Sequence, residues 1–329
     1  STTVSMVFEL LGASFALALV KLASDTTGLT FAELLNTEKA LSVILGIFLS
    51  VAIAFFFGAL VQYISRIIFT FNYKSKMRWK AGLFGGIAVT AIIYFMLIKG
   101  VKDLSFMTAE NKAFVHDHTA LILGGCLVFF TVLMQILHWC KVNVFKVVVL
   151  VGTFSLAMAF AGNDLVNFIG VPLAGYSSYQ DYMSNGAGDP TGFLMGSLNG
   201  PAKTPLFFLI AAGAIMVFSL ATSKKAHNVV KTSVDLSRQD TGDEVFGSSR
   251  VARSLVRWFT SVSAWVVDVT PERVRLWINS RFNQDEVQIE NGAAFDLVRA
   301  SVNLVLAGLL IALGTSLKLP LSTTYVAFM

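Results

Sequence analysis

Six long uncharged stretches divide this chain, and they leave few folds open to it. Ala40–Ser65 runs 26 residues without Asp, Glu, Lys or Arg, Ala81–Ile98 runs 18, and Thr119–Leu137 runs 19. Val147–Asn163 adds 17, Thr204–Ser223 adds 20 and Ala300–Leu317 adds 18. A helix covers the hydrocarbon core of a bilayer with roughly 20 apolar residues, and it satisfies its own backbone polar groups there. Only 14% of the 329 residues are charged, against about 25% in soluble domains. The expectation is an all-α integral membrane protein, multi-pass, in a plasma or inner membrane.

The net charge of +5 does not point to nucleic acid, because Lys and Arg fall in the loops between apolar runs and so report topology. Cys126 and Cys140 are too few for a disulfide framework or a metal site. Asn72–Lys80 carries four basic residues and no acid, which marks it as cytoplasmic. Counting from it, Ser24–Lys39, Gly100–His118 and Tyr176–Lys203 lie outside, and the turn at Lys141–Lys146 and Ser223–Gly292 lie inside.

Four places carry polar residues that an apolar chain would otherwise avoid. In Ala161–Pro172, Asn163, Asp164 and Asn167 end an apolar run among the helix breakers Gly162, Gly170 and Pro172. A carboxylate at membrane depth costs ~2.5–3.5 kcal/mol on insertion scales and usually faces a cavity or an ion. Asp164 and Asn167 share a helical face and offer hard oxygens to Na⁺. An ordinary helix end at the water interface is the competing reading. In Leu319–Thr324, Pro320 ends one run and Ser322-Thr323-Thr324 open the next. Unpaired N–H groups at such a helix start bind phosphate without a basic side chain, though a routine N-cap at the surface has the same sequence.

The same triplet, Ser1-Thr2-Thr3, precedes Val4–Ala23. Glu9 and Lys21 leave only Leu10–Val20 free of charge, so this segment reads as a half-helix. Five crossings then follow, around 41–66, 81–99, 119–139, 145–168 and 205–223, before the chain re-enters from inside at Ala293. The two triplets are thus approached from opposite sides, as an inverted repeat with a midplane site requires. The fourth set is Asp296, Arg299 and Asn303, either a mutually neutralising stripe or, for Asp296, a helix start. Glu9 is expected to be a buried carboxylate. His116 and His118 read as a surface pair, His138 and Cys140 as interfacial. Gly85-Gly86 and Gly124-Gly125 read as close helix contacts.

Residues 223–292 form the one sizeable non-membrane segment. Within Ser249–Asp268, Arg250, Arg253 and Arg257 share a face opposite Val251, Leu255, Trp258, Phe259, Val262 and Trp265. That pattern suits a helix in the headgroup layer or one packed on the protein's inner face, and both remain open. Thr270 and Pro271 are expected to cap and start a second short helix.

With these residues in hand, the chain resembles the PiT-type inorganic phosphate transporter family. Gly162-Asn163-Asp164-Leu165-Val166-Asn167 is similar to the family's G-x-N-D-x-x-N signature with one position lost, and Pro320–Thr324 to its P-x-S-T-T/H element. Tyr325 stands where many members have histidine. The resemblance implies a polytopic transporter with inverted-topology repeats, broken helices and re-entrant hairpins. Residues 1–23 would be the second half of the first repeat's hairpin, and 24–144 the helices around 41–66, 81–99 and 119–139. Residues 145–222 would open repeat 2, 223–292 form a cytoplasmic amphipathic connector, and 293–329 the second hairpin. Further protein is expected on both sides, with the first Asn-Asp motif before Ser1.

By the same resemblance, Ser1, Thr2, Thr3, Ser322, Thr323 and Thr324 would hold phosphate. Asn163, Asp164 and Asn167 would bind the coupling cation, Na⁺ at Asp164 and Asn167, or H⁺. Glu9, Arg299 and Asn303 are supporting candidates. No cofactor, catalytic residue or nucleic-acid partner is expected; membrane lipids and a homodimer are. Another anion such as sulfate or a dicarboxylate is the alternative cargo, and a receptor or membrane enzyme the alternative class.

Overall fold

The structure is a computed structural model describing residues 2–24, 28, 30–71, 78–95, 108–186, 193, 196, 200, 204–237, 249–282, 296–317 and 321–328. The described residues are all-helical, with no strand. In chain order they form α1 (Thr2–Ser24), α2 (Phe31–Leu34), α3 (Thr37–Phe69), α4 (Lys80–Ile93), α5 (Ala109–Asp117), α6 (Thr119–Trp139) and α7 (Val144–Phe160). A π turn, Ala161–Leu165, joins α7 to α8 (Val166–Asn185). Then come α9 (Leu206–Thr222), α10 (Lys224–Leu236), α11 (Arg250–Val269), α12 (Glu272–Arg281), α13 (Leu297–Ser316) and α14 (Thr323–Phe328).

Among the described residues, five helical stretches are long and apolar enough to cross a membrane: Thr3–Ser24, Ala40–Phe69, Thr119–Trp139, Val144–Asn185 and Leu297–Ser316. A sixth is added if α9 and the first turns of α10, bent 66° against it, count as one span. Large apolar side chains cover the outside, with Leu121 and Phe207 each 74% exposed. Contiguous apolar surface on this scale needs a bilayer or a partner, because water would penalise it at about 25 cal/mol per Å².

The core forms where α4, α6, α7 and α13 meet. Phe69, Phe84 and Phe145 close an aromatic triangle with centroids 5.2–5.3 Å apart, and Phe145 is fully buried. Each such pair adds about 0.5–1.5 kcal/mol beyond its buried area. Small residues bring α4 onto α6: a Cβ at Gly86 would lie 2.7 Å from Thr131 Cα, and one at Gly85 2.8 Å from Met134 Cγ. Gly85-Gly86 is thus a close helix contact, as expected from the sequence. Gly124-Gly125 is not, since nothing lies within 4 Å of a Cβ built at either.

Several sequence expectations change here. The N-terminal segment is not a short half-helix: α1 runs 23 residues without interruption. The two charges do not interrupt it: Glu9 is exposed rather than buried, and Lys21 falls in the last turn. Six residues past Thr3 is about one and two-thirds turns, which carries Glu9 off Thr3's face. The chain also does not break at Gly162, Gly170 or Pro172. It widens into a π turn and continues as helix, with Pro172 inside α8. A break in apolar surroundings would strip partners from backbone groups at several kcal/mol each, whereas a π turn keeps most of them. The crossing expected at 81–99 is helical to Ile93, and its residues 96–99 lie outside the described residues. Pro271 is itself the cap of α12, and Thr270 closes α11.

Asp296 starts a helix, as one of the two sequence readings had it. Its carboxylate caps α13 by accepting from Val298 N at 2.9 Å and Arg299 N at 3.4 Å. It also forms a buried ion pair with Arg66 near the end of α3. Arg66 reaches the Thr70 carbonyl at 3.4 Å and lies 4.4 Å over the Phe71 ring. This pair ties α3 to the start of α13, the helix that leads to the second triplet.

Candidate functional site around Asp164

Asp164 sits in the π turn between α7 and α8. One inserted residue per turn leaves backbone groups imperfectly paired and re-aims the side chains, which is why such turns recur at functional sites. Two helix starts, distant in sequence, converge on this carboxylate. Thr3 Oγ1 donates to Asp164 Oδ1 at 2.8 Å, across 161 residues. Thr323 Oγ1 lies 3.1 Å from both Oδ1 and Oδ2, across 159 residues. Asn163 Nδ2 donates to Oδ1 at 3.2 Å. Oδ1 therefore accepts from three donors, and hydrogen bonds to an ionised acceptor are about twice as strong as neutral ones.

Local sequence explains the second tip. Leu321 is buried in a small cluster with Ala54, Ile311 and Val326. Gly314 lets it in, since a Cβ there would lie 2.8 Å from Leu321 Cδ2. Ser322, fully buried, caps α14 by accepting from Tyr325 N at 3.2 Å, and its carbonyl accepts from Val326 N at 3.0 Å. Thr323 follows, 2% exposed, with its hydroxyl on Asp164.

Among the sequence-derived candidates, Thr3, Asn163, Asp164 and Thr323 thus meet in one place. Ser322 caps rather than contacts the carboxylate. Thr324 and Asn167 are half-buried nearby in sequence, and among the described residues neither shares a hydrogen bond with Asp164. Ser1 and Pro320 lie outside the described residues, as does the side chain of Thr2. Arg299 and Asn303 are half-buried on α13, and Glu9 faces away. The registers of the two tips differ: the third residue of the first triplet and the second of the last reach the carboxylate.

Arg66 was missed, for it is only the first charge after a long apolar run, and its partner is 230 residues away. Tyr325 borders an apolar cavity of about 290 Å³ between α1, α3 and α14, beside Val4 and Phe8. His116 and His118 are exposed, and no group of three His, Cys, Asp or Glu side chains able to hold a metal occurs among the described residues. The Asp164 cluster is instead a set of hard oxygens (a carboxylate, two hydroxyls and an amide) suited to a proton or an alkali cation rather than a thiophilic metal.

No family model matches the chain, and no curated protein or solved structure proves similar to it. What stands, among the described residues, is an all-helical fold with five helices able to cross a membrane, hence a multi-pass membrane protein, with a hydroxyl-bound carboxylate joining helices that reach it from 161 and 159 residues away in sequence, one on either side of it.

Proposed function

We propose that this chain is the transport core of a secondary active transporter that imports inorganic phosphate with a coupling cation, Na⁺ or H⁺. The observation that carries the reading is the convergence of Thr3 and Thr323 on Asp164. Transporters place substrate and ion sites where elements from two halves of the chain meet near mid-membrane, and these two threonines reach Asp164 from helices 161 and 159 residues away in sequence.

The coupling follows from the donors. As the side chains stand, both hydroxyls donate to the carboxylate, so neither proton is available to an anion. A cation at Asp164 neutralises the carboxylate and takes over its lone pairs. The Thr3 and Thr323 hydroxyls can then rotate and donate to phosphate, together with the N–H groups that open α14. Without the cation, the carboxylate and a phosphate would repel at close range. The anion and cation thus bind together, and the two halves, related as inverted repeats, rock about the site to alternate access.

Labelled phosphate uptake into proteoliposomes tests this, first with an imposed Na⁺ gradient and then with a pH gradient. Uptake driven by either supports the reading and names the cation. No uptake with either, from folded protein, sinks phosphate as the cargo and makes sulfate the next anion to assay.

A further inference from the structure

Helix α11 stands apart from every other long helix, because each residue from Arg250 to Val269 is exposed. Its side chains nevertheless sort into two arcs. Arg250, Arg253, Arg257 and Ser261 share one side, three or four residues apart. Val251, Leu255, Phe259, Val262 and Val266 share the other. Trp258 and Trp265 lie on the border between the arcs, 60% and 66% exposed. Amphipathic indole rings favour such a border at a membrane–water interface. Three arginines and no acid occur before Asp268.

One contact sets the level of this helix. Phe259, in the middle of the apolar arc, lies 6.2 Å from Phe55 of α3. Phe55 is half exposed and belongs to the uncharged run of a candidate membrane span. The apolar arc of α11 is therefore continuous with a surface that faces acyl chains. Its basic arc points the other way.

We propose that α11 is a lipid-docking helix, lying in the headgroup layer and recognising anionic lipid phosphates through Arg250, Arg253 and Arg257. Apolar area and charge act together in such helices. Each arginine near an anionic surface strengthens attachment roughly fivefold, so the three together contribute roughly a hundredfold. The inference does not depend on which ion the Asp164 site carries.

The test uses the full chain reconstituted in vesicles of phosphatidylcholine alone, or of equal parts phosphatidylcholine and phosphatidylglycerol, with and without brominated acyl chains. The readout is the emission of Trp258 and Trp265, taken as the difference between the chain and its Trp258→Phe/Trp265→Phe variant. Bromine is expected to quench that signal strongly in the mixed vesicles and less in the neutral ones. The Arg250→Gln/Arg253→Gln/Arg257→Gln variant should fall to the neutral level, and Arg257→Gln alone, the gentler change, should fall part of the way. Absence of bromine quenching overturns the proposal, whether acrylamide reaches the rings from water or a protein surface or second copy shields them. Equal quenching in both vesicles, unaltered in the arginine variants, overturns the recognition of anionic headgroups.

Discussion

Thr3 and Thr323 donate to the same carboxylate, but the chain delivers them differently. Thr323 opens α14, which packs against α13, half of whose apolar window is buried, and it follows Leu321 and Ser322, both buried. Thr3 comes at the start of α1, only 11% of whose window is buried, and α1 packs chiefly against α8 and α2. Thr3 and Thr323 are each 2% exposed, but the helix behind Thr3 is the more loosely packed, so the hydrogen bond carries a larger share of the first tip's fixation. A charge-assisted bond of about 1.5–3 kcal/mol is a smaller part of the second tip's fixation than of the first tip's. Under the alternating access proposed above, this asymmetry would let the tip on the more loosely packed helix leave while the other stays.

Changing Asp164 is the strongest way to break the comparison. If Asp164 holds a coupling cation as proposed, Asp164→Asn keeps an oxygen for the threonines but loses the charge that would draw it, so phosphate uptake should fall by roughly a hundredfold, as losing about 3 kcal/mol implies. The protein should remain folded. Wild-type uptake in that variant would discard the role assigned to Asp164. Arg66→Gln attacks the packed side alone. It leaves Asp296 buried without its partner, at a cost of about 3–5 kcal/mol, measured as unfolding in detergent. Adding Asp296→Asn should recover much of that loss, because no buried charge is then left unpaired. A loss too small to measure would show that α13 does not depend on this pair.

Two milder substitutions sharpen the contrast. Thr3→Val keeps the shape and removes the donor, so the first tip should loosen by about 1.5–3 kcal/mol. A cysteine placed at Ser5 would then react faster with a water-soluble maleimide, whereas Thr323→Val should leave that rate near its starting value. Gly314→Ala presses on Leu321 instead. Overpacking of this kind costs about 1–3 kcal/mol, and the loss should appear in overall stability with no change in Ser5→Cys labelling. Equal labelling changes in Thr3→Val and Gly314→Ala would erase the distinction between the tips.

Much of this was legible in the sequence because a bilayer imposes length and polarity on every run. The uncharged stretches at 40–65, 119–137, 147–163 and 300–317 are the cores of four helices able to span. Asp164, Asn163 and the two triplets stood out because hydroxyls and a carboxylate are costly in apolar surroundings. What could not be read were choices between conformations of similar cost. Gly162 and Pro172 permit a break, but a π turn keeps more hydrogen bonds. The Arg66–Asp296 pair depends on two helices meeting 230 positions apart, which no local pattern encodes. Gly85-Gly86 and Gly124-Gly125 look alike, and only packing tells that one pair faces α6 while the other faces open surface.

The smallest expected effect concerns the far end of α1. Glu33 of α2 accepts from Thr30 N at 2.7 Å and Thr30 Oγ1 at 2.8 Å, and these bonds, the backbone one foremost, hold its pKa below the usual carboxylate value. A depressed folded-state pKa stabilises α2 at pH above the ordinary glutamate value, and that contribution disappears as pH falls through the lowered one. Phe31 of α2 rests edge-on against Phe15 of α1, with centroids 5.4 Å apart, so fraying of α2 removes one of the few contacts that α1 makes. Hydrogen exchange at Glu33 and Leu34 should therefore rise as the medium is acidified beyond its base-catalysed trend, and Glu33→Gln should flatten that rise. Because Glu33 is fully exposed, solvent screens it, and the effect should stay local to α2. An equal rise in Glu33→Gln would mean instead that the Thr30–Glu33 bonds do not hold α2 together.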